Sequence, residues 1–157
     1  MFLRIIVLAD SHGDTFDLLR AIESEPAAKY AVFLGDGAEE AENAESVYSN
    51  RMVFKSVRGN CDFGSSLPDC ETIVVEDVNI YITHGYKEQV KFGLTQLIFE
   101  ARGRNAKIAL FGHTHQQYYE YDDGLHLFNP GSIRELNYGV VDITPAGIVC
   151  VPKRLPF

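Results

Sequence analysis

The sequence predicts an α/β fold in which strands and helices form a layered sandwich. Short apolar runs alternate with helix-type stretches in the first half of the chain, whereas the second half is rich in strands. This mixture favours a layered α/β sandwich over a purely parallel sheet. The chain has 157 residues, of which 46% are hydrophobic. That is enough to bury the core of one domain, which we expect to span residues 1–157.

The first half contains three predicted strands, at 2–9, 30–34 and 52–57, each a short apolar run of the buried type. A helix is predicted at 14–25, with Asp14 as its N-cap and Pro26 as its stop. An acidic segment follows the second strand and continues through Ser49. Its glutamates predict a solvated helix face, and they are Glu39, Glu40, Glu42 and Glu45.

The second half begins with a predicted hairpin, because the apolar runs 71–76 and 78–83 flank Asp77. A long helix is predicted at 88–102, and Gly93 is a weak point within it. A buried strand is predicted at 107–111. The remainder, 116–151, is predicted to be strands with turns at Asp123-Gly124 and at Asn129-Pro130-Gly131.

The charge balance limits the classes of partner. Asp and Glu number 22 against 14 Lys and Arg, which gives a net charge of −8. Because such a chain repels polyanions and anionic membranes, we expect neither a nucleic acid nor a membrane as partner. The three cysteines follow no disulfide or zinc pattern, and no segment has the character of a membrane span or a targeting signal. We therefore expect a cytoplasmic protein.

Polar side chains of metal-ligand type follow five of the predicted strands. The segments are Asp10-Ser11-His12, Gly35-Asp36, Gly59-Asn60-Cys61-Asp62, His84-Gly85 and Gly112-His113-Thr114-His115. Sites in α/β sheets form at the carboxyl ends of strands, and glycine there allows close approach. Each segment alone has an ordinary explanation as a turn, cap or core residue. We expect the preceding strand to end at Gly112, so that His113 and His115 lie in a loop and not in a continuing strand.

The donor types suit borderline divalent ions such as Mn, Zn, Fe, Co or Ni. The candidate ligands are Asp10, His12, Asp36, Asn60, His84, His113 and His115. Seven ligands are too many for one ion. Two ions roughly 3.5–4 Å apart that share a carboxylate would use all of them.

The ordered series D-x-H, G-D, G-N-x-D, H-G and G-H-T-H resembles the calcineurin-like metallophosphoesterase superfamily. The G-N-C-D, G-H-T-H and N-P-G-S segments resemble its small single-domain bacterial and archaeal phosphodiesterase branch. The resemblance implies a four-layer αββα sandwich of two mixed sheets flanked by helices, with the metal site at the C-terminal strand edges. It also implies hydrolysis of phosphate esters, foremost phosphodiesters, in which a metal-bridging hydroxide attacks phosphorus in line.

The same resemblance implies roles for individual residues. One metal ion would be held by Asp10, His12 and His115, the other by Asn60, His84 and His113, and Asp36 would bridge the two. We expect the catalytic residues to be Asp36, Asn60, Asp62 and His84, and the substrate-binding residues to be Asn60, Cys61 and Arg58.

For two of these residues an alternative role is left open. Asp62 would orient His12 or His115 or, on the alternative reading, cap a helix or turn. Cys61 stands where many relatives have histidine, and a thiol is a poor general acid. A role as a small buried apolar residue is therefore as good an interpretation of Cys61 as a role in the reaction.

The implied cofactors are two divalent ions, with Mn foremost and Ni, Fe, Co or Zn as alternatives. The implied partner is a small phosphate ester, and a homodimer or higher homo-oligomer is left open. A non-catalytic protein-binding scaffold, like the retromer subunit that shares this fold, is one alternative function. A nuclease resembling the DNA-repair branch is another, but that branch has His after the Gly-Asn and extra DNA-binding segments, and the charge of −8 disfavours a long polyanion.

Overall fold

Two mixed five-stranded sheets pack face to face in the computed structural model, which describes residues 2–157. The first sheet has the order β10-β9-β1-β2-β3 and contains β1 (Leu3–Leu8), β2 (Ala28–Phe33), β3 (Val53–Ser56), β9 (Asn137–Thr144) and β10 (Gly147–Arg154). The second has the order β4-β5-β6-β8-β7 and contains β4 (Cys70–Val75), β5 (Val78–Thr83), β6 (Ile108–Leu110), β7 (Gln117–Asp122) and β8 (Leu125–Pro130). Each sheet has three parallel strands, β1-β2-β3 in one and β5-β6-β8 in the other.

Helices cover the outer faces of both sheets, so the predicted four-layer αββα sandwich is confirmed. The helices are α1 (Thr15–Glu23), α2 (Ala38–Tyr48) and α3 (Thr95–Gly103). Both faces of strand β1 are apolar because both are buried. Ile5 and Val7 pack between the two sheets, whereas Ile6 and Leu8 pack in the outer layer with α1 and α2. On the other side of the molecule, Leu97 and Ala101 of α3 pack against the second sheet.

The predicted helix at 88–102 is wrong in its first part. Residues 85–94 form a loop with a 3₁₀ turn at Val90–Phe92, and α3 begins only at Thr95. Gly93 has a φ of 139°, which is outside the helical region. Glu88 is buried in this loop and accepts hydrogen bonds from the hydroxyls of Tyr81 and Thr83. These tertiary contacts override the local helical pattern.

The other predicted elements are present with small shifts at their ends. The side chain of Asp14 accepts a hydrogen bond from Asp17 N at 2.9 Å, which confirms the predicted cap of α1. The glutamates of α2 are exposed as expected except Glu40, which is buried. Within residues 2–157, no helix is both long and apolar enough to cross a membrane.

Candidate metal centre

The loops after β1, β2, β5 and β6 meet at one edge of the sandwich. Backbone hydrogen bonds connect them directly: Asp10 N donates to Gly35 O at 2.9 Å, and Gly112 N donates to His84 O at 2.9 Å. Strand β6 ends at Leu110, so His113 and His115 follow the strand, as predicted. Both histidines lie in the loop and their side chains enter the same region.

Asp10, His12 and His115 form the first cluster, with ligand atoms all within 4.8 Å of one another. Asp10 Oδ1 lies 3.7 Å from His12 Nε2 and 3.4 Å from His115 Nε2. The two imidazole nitrogens, His12 Nε2 and His115 Nε2, are 3.3 Å apart. The resemblance assigned these three residues to one metal ion.

The second cluster contains Asp36, His84 and His113, whose ligand atoms also lie within 4.8 Å of one another. His84 Nε2 lies 3.2 Å from Asp36 Oδ2 and 3.2 Å from His113 Nδ1. The other nitrogen of His84, Nδ1, is 2.7 Å from the carbonyl oxygen of Leu34 and can only donate to it. Nε2 of a neutral His84 is therefore left with its lone pair directed into the cluster, as in metal-binding histidines.

Asp36 lies between the two clusters. Its Oδ2 is 3.7 Å from His12 Nε2 and 3.2 Å from His84 Nε2, one atom from each cluster. Its Oδ1 accepts a hydrogen bond from Cys61 N at 2.8 Å. This placement is compatible with the bridging role that the resemblance implies.

The four other predicted site residues lie beside the two clusters: Asn60, Cys61, Arg58 and Asp62. Asn60 is exposed, and its amide donates to Cys61 Sγ at 3.7 Å. Cys61 is also exposed, so the interpretation as a buried apolar residue is wrong. Its thiol lies in a third group with His12 and Asp36. Arg58 pairs with Asp69 at 3.2 Å and donates to Ser65 O at 3.1 Å.

Asp62 does not have the imidazole partner that we expected. Its carboxylate accepts four backbone N–H bonds, from Asp36 and Gly59 on Oδ2 at 2.8 Å each and from Gly37 and Ala38 on Oδ1 at 2.8 and 2.9 Å. It thereby caps the N-terminus of α2, where Gly37 has no side chain to do so. The alternative of a capping role is the one that the contacts match.

Backbone strain is concentrated at the predicted ligands. Five of the seven are in the left-handed region: Asp10, His12, Asp36, His113 and His115, with φ between 44° and 72°. Each such non-glycine residue costs on the order of 1–3 kcal/mol, and this strain tends to collect at functional sites. The fold therefore gives up stability to bring these side chains together.

Two supporting groups hold the loops of the predicted ligands; the sequence singled out the N-P-G-S segment without its contacts, and it gave Glu40 no such role. In the N-P-G-S segment, Asn129 Nδ2 donates to Gly112 O at 3.0 Å and Ser132 Oγ donates to Asp10 O at 2.8 Å, and both residues are buried. Glu40 accepts from Ser11 Oγ at 2.9 Å and from Gly13 N, which fixes the loop that carries His12. A buried turn and an acidic residue in a run of acids carry no sequence signal for these contacts.

The electrostatics of the centre fit a bound cation. Burial raises the pKa of Asp10 to about 7, and among the described residues its Oδ1 has no hydrogen-bond donor. Burial alone would raise the pKa of Asp36 too, but the hydrogen bond and charge of His84 lower it to about 2. Burial and the charge of His84 lower the pKa of His113 to about 4. A buried carboxylate oxygen without a donor, close to imidazole nitrogens of His12, His84 and His115, suits a divalent ion.

Comparison with known proteins agrees with this geometry. Residues 3–144 match the family model described as the calcineurin-like phosphoesterase superfamily domain. Among curated proteins, the chain is 29% identical over 132 residues to "Probable metallophosphoesterase YsnB" of Bacillus subtilis (strain 168), covering 84% of this chain and 76% of the relative.

Solved structures with the same fold carry different descriptions. A predicted phosphoesterase from Streptococcus pneumoniae TIGR4 matches with a TM-score of 0.76 at 22% identity, over 98% of this chain and 99% of the other. An archaeal phosphodiesterase matches with a TM-score of 0.73 at 16% identity, over 98% and 100%. Vps29 of Entamoeba histolytica, complexed with Zn²⁺, matches with a TM-score of 0.70 at 16% identity, over 97% and 99%. At these identities the structures establish the shared fold.

Proposed function

The chain belongs to the calcineurin-like phosphoesterase superfamily, and we propose that it hydrolyses small phosphate esters, foremost phosphodiesters. The observation that carries the proposal is the pair of three-residue clusters, with Asp36 between them. Asn60 lines the cleft beside His84 and would complete the seven ligands. The donor set of carboxylate, amide and imidazole supports two divalent ions, Mn foremost.

When bound, such ions supply a water with a lowered pKa and stabilise negative charge on the phosphoryl oxygens. The chain's own residues provide the rest. Asp10 Oδ1 faces His115 in the first cluster, Asp36 Oδ2 faces a nitrogen of each cluster, and the Leu34 carbonyl fixes the His84 ring. Asp62 holds the segment of Asp36 through three backbone bonds, from Asp36, Gly37 and Ala38, and a fourth bond from Gly59 closes its own loop. We propose that Asn60, Cys61 and Arg58, which surround the centre, contact the substrate.

The direct test is hydrolysis of bis(p-nitrophenyl) phosphate with and without added Mn²⁺. We expect Mn²⁺-stimulated release of p-nitrophenolate and two metal ions per chain by elemental analysis. Asp36→Asn should lower the rate by roughly 100-fold or more, because even residues that only support a ligand cost 10–100-fold. Asp77→Asn, in the exposed turn between β4 and β5, removes the same charge and should leave the rate unchanged.

Two outcomes would contradict parts of the proposal. If saturating Mn²⁺ gives at most one ion per chain, the two-metal site is wrong even if hydrolysis persists. If protein of verified metal content hydrolyses no monoester or diester, the non-catalytic scaffold becomes the better explanation of this fold.

A further inference from the structure

The thiol of Cys61 belongs to a third group of metal-ligand atoms, which adjoins the first cluster. Cys61 Sγ, a nitrogen of His12 and a carboxylate oxygen of Asp36 all lie within 4.8 Å of one another. His12 is also a member of the first cluster, so the thiol is next to the position of an ion held there. Two donor atoms on one zinc ion are at most about 4.4 Å apart, because Zn–N and Zn–S bonds are about 2.1 and 2.3 Å long. A small movement of the exposed thiol would therefore bring it to such an ion.

The backbone of Cys61 is fixed to the centre, whereas its side chain is exposed. Cys61 N donates to Asp36 Oδ1 at 2.8 Å, and the other oxygen of that carboxylate, Oδ2, lies 3.7 Å from His12 Nε2. The side-chain amide of Asn60 donates to Cys61 Sγ at 3.7 Å. Hydrogen bonds to a ligand orient it on its metal, so this contact suits a sulfur ligand.

A buried oxygen of the first cluster points independently to a cation at this position. Asp10 is fully buried, and its Oδ1 has no hydrogen-bond donor within residues 2–157. This oxygen lies 3.7 Å from His12 Nε2 and 3.4 Å from His115 Nε2. Because a buried carboxylate oxygen without a partner is costly, an ion between Asp10 and His12 would satisfy it. That ion would be next to Cys61, which shares His12 with Asp10.

The groove that exposes Cys61 favours cations. It has a volume of about 730 Å³, and His12 and Cys61 both line it. In the part of the chain that the structure describes, no lysine or arginine lines this groove. Five carboxylate residues do, and they are Asp36, Glu39, Glu40, Glu42 and Asp62. A cleft lined by one sign of charge raises the local concentration of the opposite ion, so divalent cations are attracted to the thiol.

A thiol beside carboxylate and imidazole ligands distinguishes between kinds of divalent ion. Soft sulfur ligands favour thiophilic ions such as Zn²⁺ and Cd²⁺, whereas Mn²⁺ favours carboxylate, carbonyl and water oxygens. A thiophilic ion at the first cluster would thus gain a protein ligand that Mn²⁺ does not use. Each added protein ligand leaves one coordination position fewer for water or for a phosphate oxygen.

We propose that Cys61 is a metal ligand for thiophilic ions, and that Zn²⁺ or Cd²⁺ held by it inhibits the site. The thiol proton passes to solvent as the metal–sulfur bond forms, and no electron is transferred. With Mn²⁺, Cys61 keeps a free thiol beside the centre. The inference deepens the proposed function, rests on it for the position of the ions, and adds a means by which the kind of ion regulates the site.

The first test is a Cd²⁺ titration of the metal-free full chain, observed through the ultraviolet charge-transfer absorption of a cadmium–thiolate bond. Cys61→Ser should abolish this absorption. Cys150→Ser, the same change at a partly buried cysteine of β10, should retain it. His12→Ala should raise the Cd²⁺ concentration needed by roughly 10-fold or more, because even residues that only support a ligand cost 10–100-fold in affinity.

Two further measurements compare Zn²⁺ with Mn²⁺. In competition with a chelator of known affinity, Cys61→Ser should weaken Zn²⁺ binding by roughly 10-fold or more and Mn²⁺ binding by less than about twofold. In the unmodified chain, saturating Zn²⁺ should slow alkylation of Cys61 by iodoacetamide roughly 10-fold or more, since the metal occupies the nucleophilic sulfur. Mn²⁺ should not slow it. Mass spectrometry of the peptide that contains Cys61 gives the rate.

Inhibition is measured with bis(p-nitrophenyl) phosphate in the presence of Mn²⁺, each protein being compared with its own rate without Zn²⁺. Half-inhibition of Cys61→Ser should need roughly 10-fold or more Zn²⁺ than half-inhibition of the unmodified chain. If the two proteins are inhibited equally, the inhibited form is wrong.

The remaining outcomes separate this inference from the proposed function. If Mn²⁺ supports no hydrolysis but the cadmium absorption depends on Cys61 and His12, the proposed function fails and the thiol ligand stands. If hydrolysis is present but the absorption survives Cys61→Ser, or is unchanged by His12→Ala, Cys61 forms no site with His12 and the inference is wrong.

Discussion

Asp62 shows how one side chain can support a metal centre without touching it. Two of its four hydrogen-bond donors belong to Asp36 and Gly59, and the other two belong to the first residues of α2. Asp36 is in a strained left-handed conformation with a φ of 60°. The carboxylate of Asp62 therefore offsets part of the cost of holding Asp36 in place.

We predict that Asp62→Asn lowers both stability and metal binding. The amide replaces one acceptor oxygen by a donor, so two backbone N–H groups lose their partner, at about 1–3 kcal/mol for each buried group. Urea unfolding should show a loss of roughly 2–4 kcal/mol. The metal that depends on Asp36 should bind roughly 10–100-fold more weakly. Asp77→Asn is the matched control, and equal behaviour of the two variants would contradict the role given to Asp62.

The sequence predicted the clustered Asp and His residues better than the residues that support them. Asp10, His12, His113 and His115 are recognisable because carboxylate and imidazole side chains recur next to glycine after strands. The cap formed by Asp62 was predicted only as an alternative, and Ser132 and Glu40 act on loops distant in the chain. Such contacts depend on how the loops pack and leave no periodicity or composition signal.

At the scale of elements, the loop between β5 and α3 combines an anchored interior with an exposed rim. Glu88 and Val90 are buried, whereas Tyr86, Lys87 and Phe92 are exposed. The apolar and charged residues of this loop mimic a helical pattern, which is why the sequence predicted a helix from 88. The competing interactions are the hydroxyls of Tyr81 and Thr83, only seven and five residues before Glu88. Apolar periodicity does not register them, because they form only when the loop folds back onto β5.

We predict that Glu88→Ala destabilises the protein by roughly 2–4 kcal/mol, because it leaves the buried hydroxyls of Tyr81 and Thr83 without their acceptor. The free energy of unfolding in urea is the measurement. Glu100→Ala on α3 removes a partly exposed carboxylate paired with Arg104 at 3.8 Å and should change stability by less than about 0.5 kcal/mol. If the two variants lose equal stability, the buried network does not anchor the loop.

At the scale of the whole molecule, the metal centre joins the two sheets. Asp10, His12 and Asp36 follow strands of the first sheet, whereas His84, His113 and His115 follow strands of the second. The αββα architecture was predictable because each strand has a clear apolar run. The pairing order of ten strands was not, since it depends on contacts between residues as far apart as β1 and β9.

This arrangement predicts that metal ions stabilise the folded protein. An unfolded chain has no preformed site, so a site saturated at 100 times its Kd adds about 2.7 kcal/mol. For a chain of this length that corresponds to a rise in Tm of about 5–10 °C per site. Thermal unfolding in EDTA and in increasing Mn²⁺ measures the shift.

The dependence of Tm on Mn²⁺ concentration also distinguishes one site from two. Two independent sites should give about twice the shift of one at the same saturation, because their contributions to the unfolding free energy add. Asp36→Asn should lose most of the shift, since Asp36 Oδ2 is close to a nitrogen from each cluster. Asp10→Asn should retain the part that comes from Asp36, His84 and His113. An equal shift in both variants would mean that Mn²⁺ stabilises the protein by binding elsewhere. The two clusters would then not link the two sheets through bound metal.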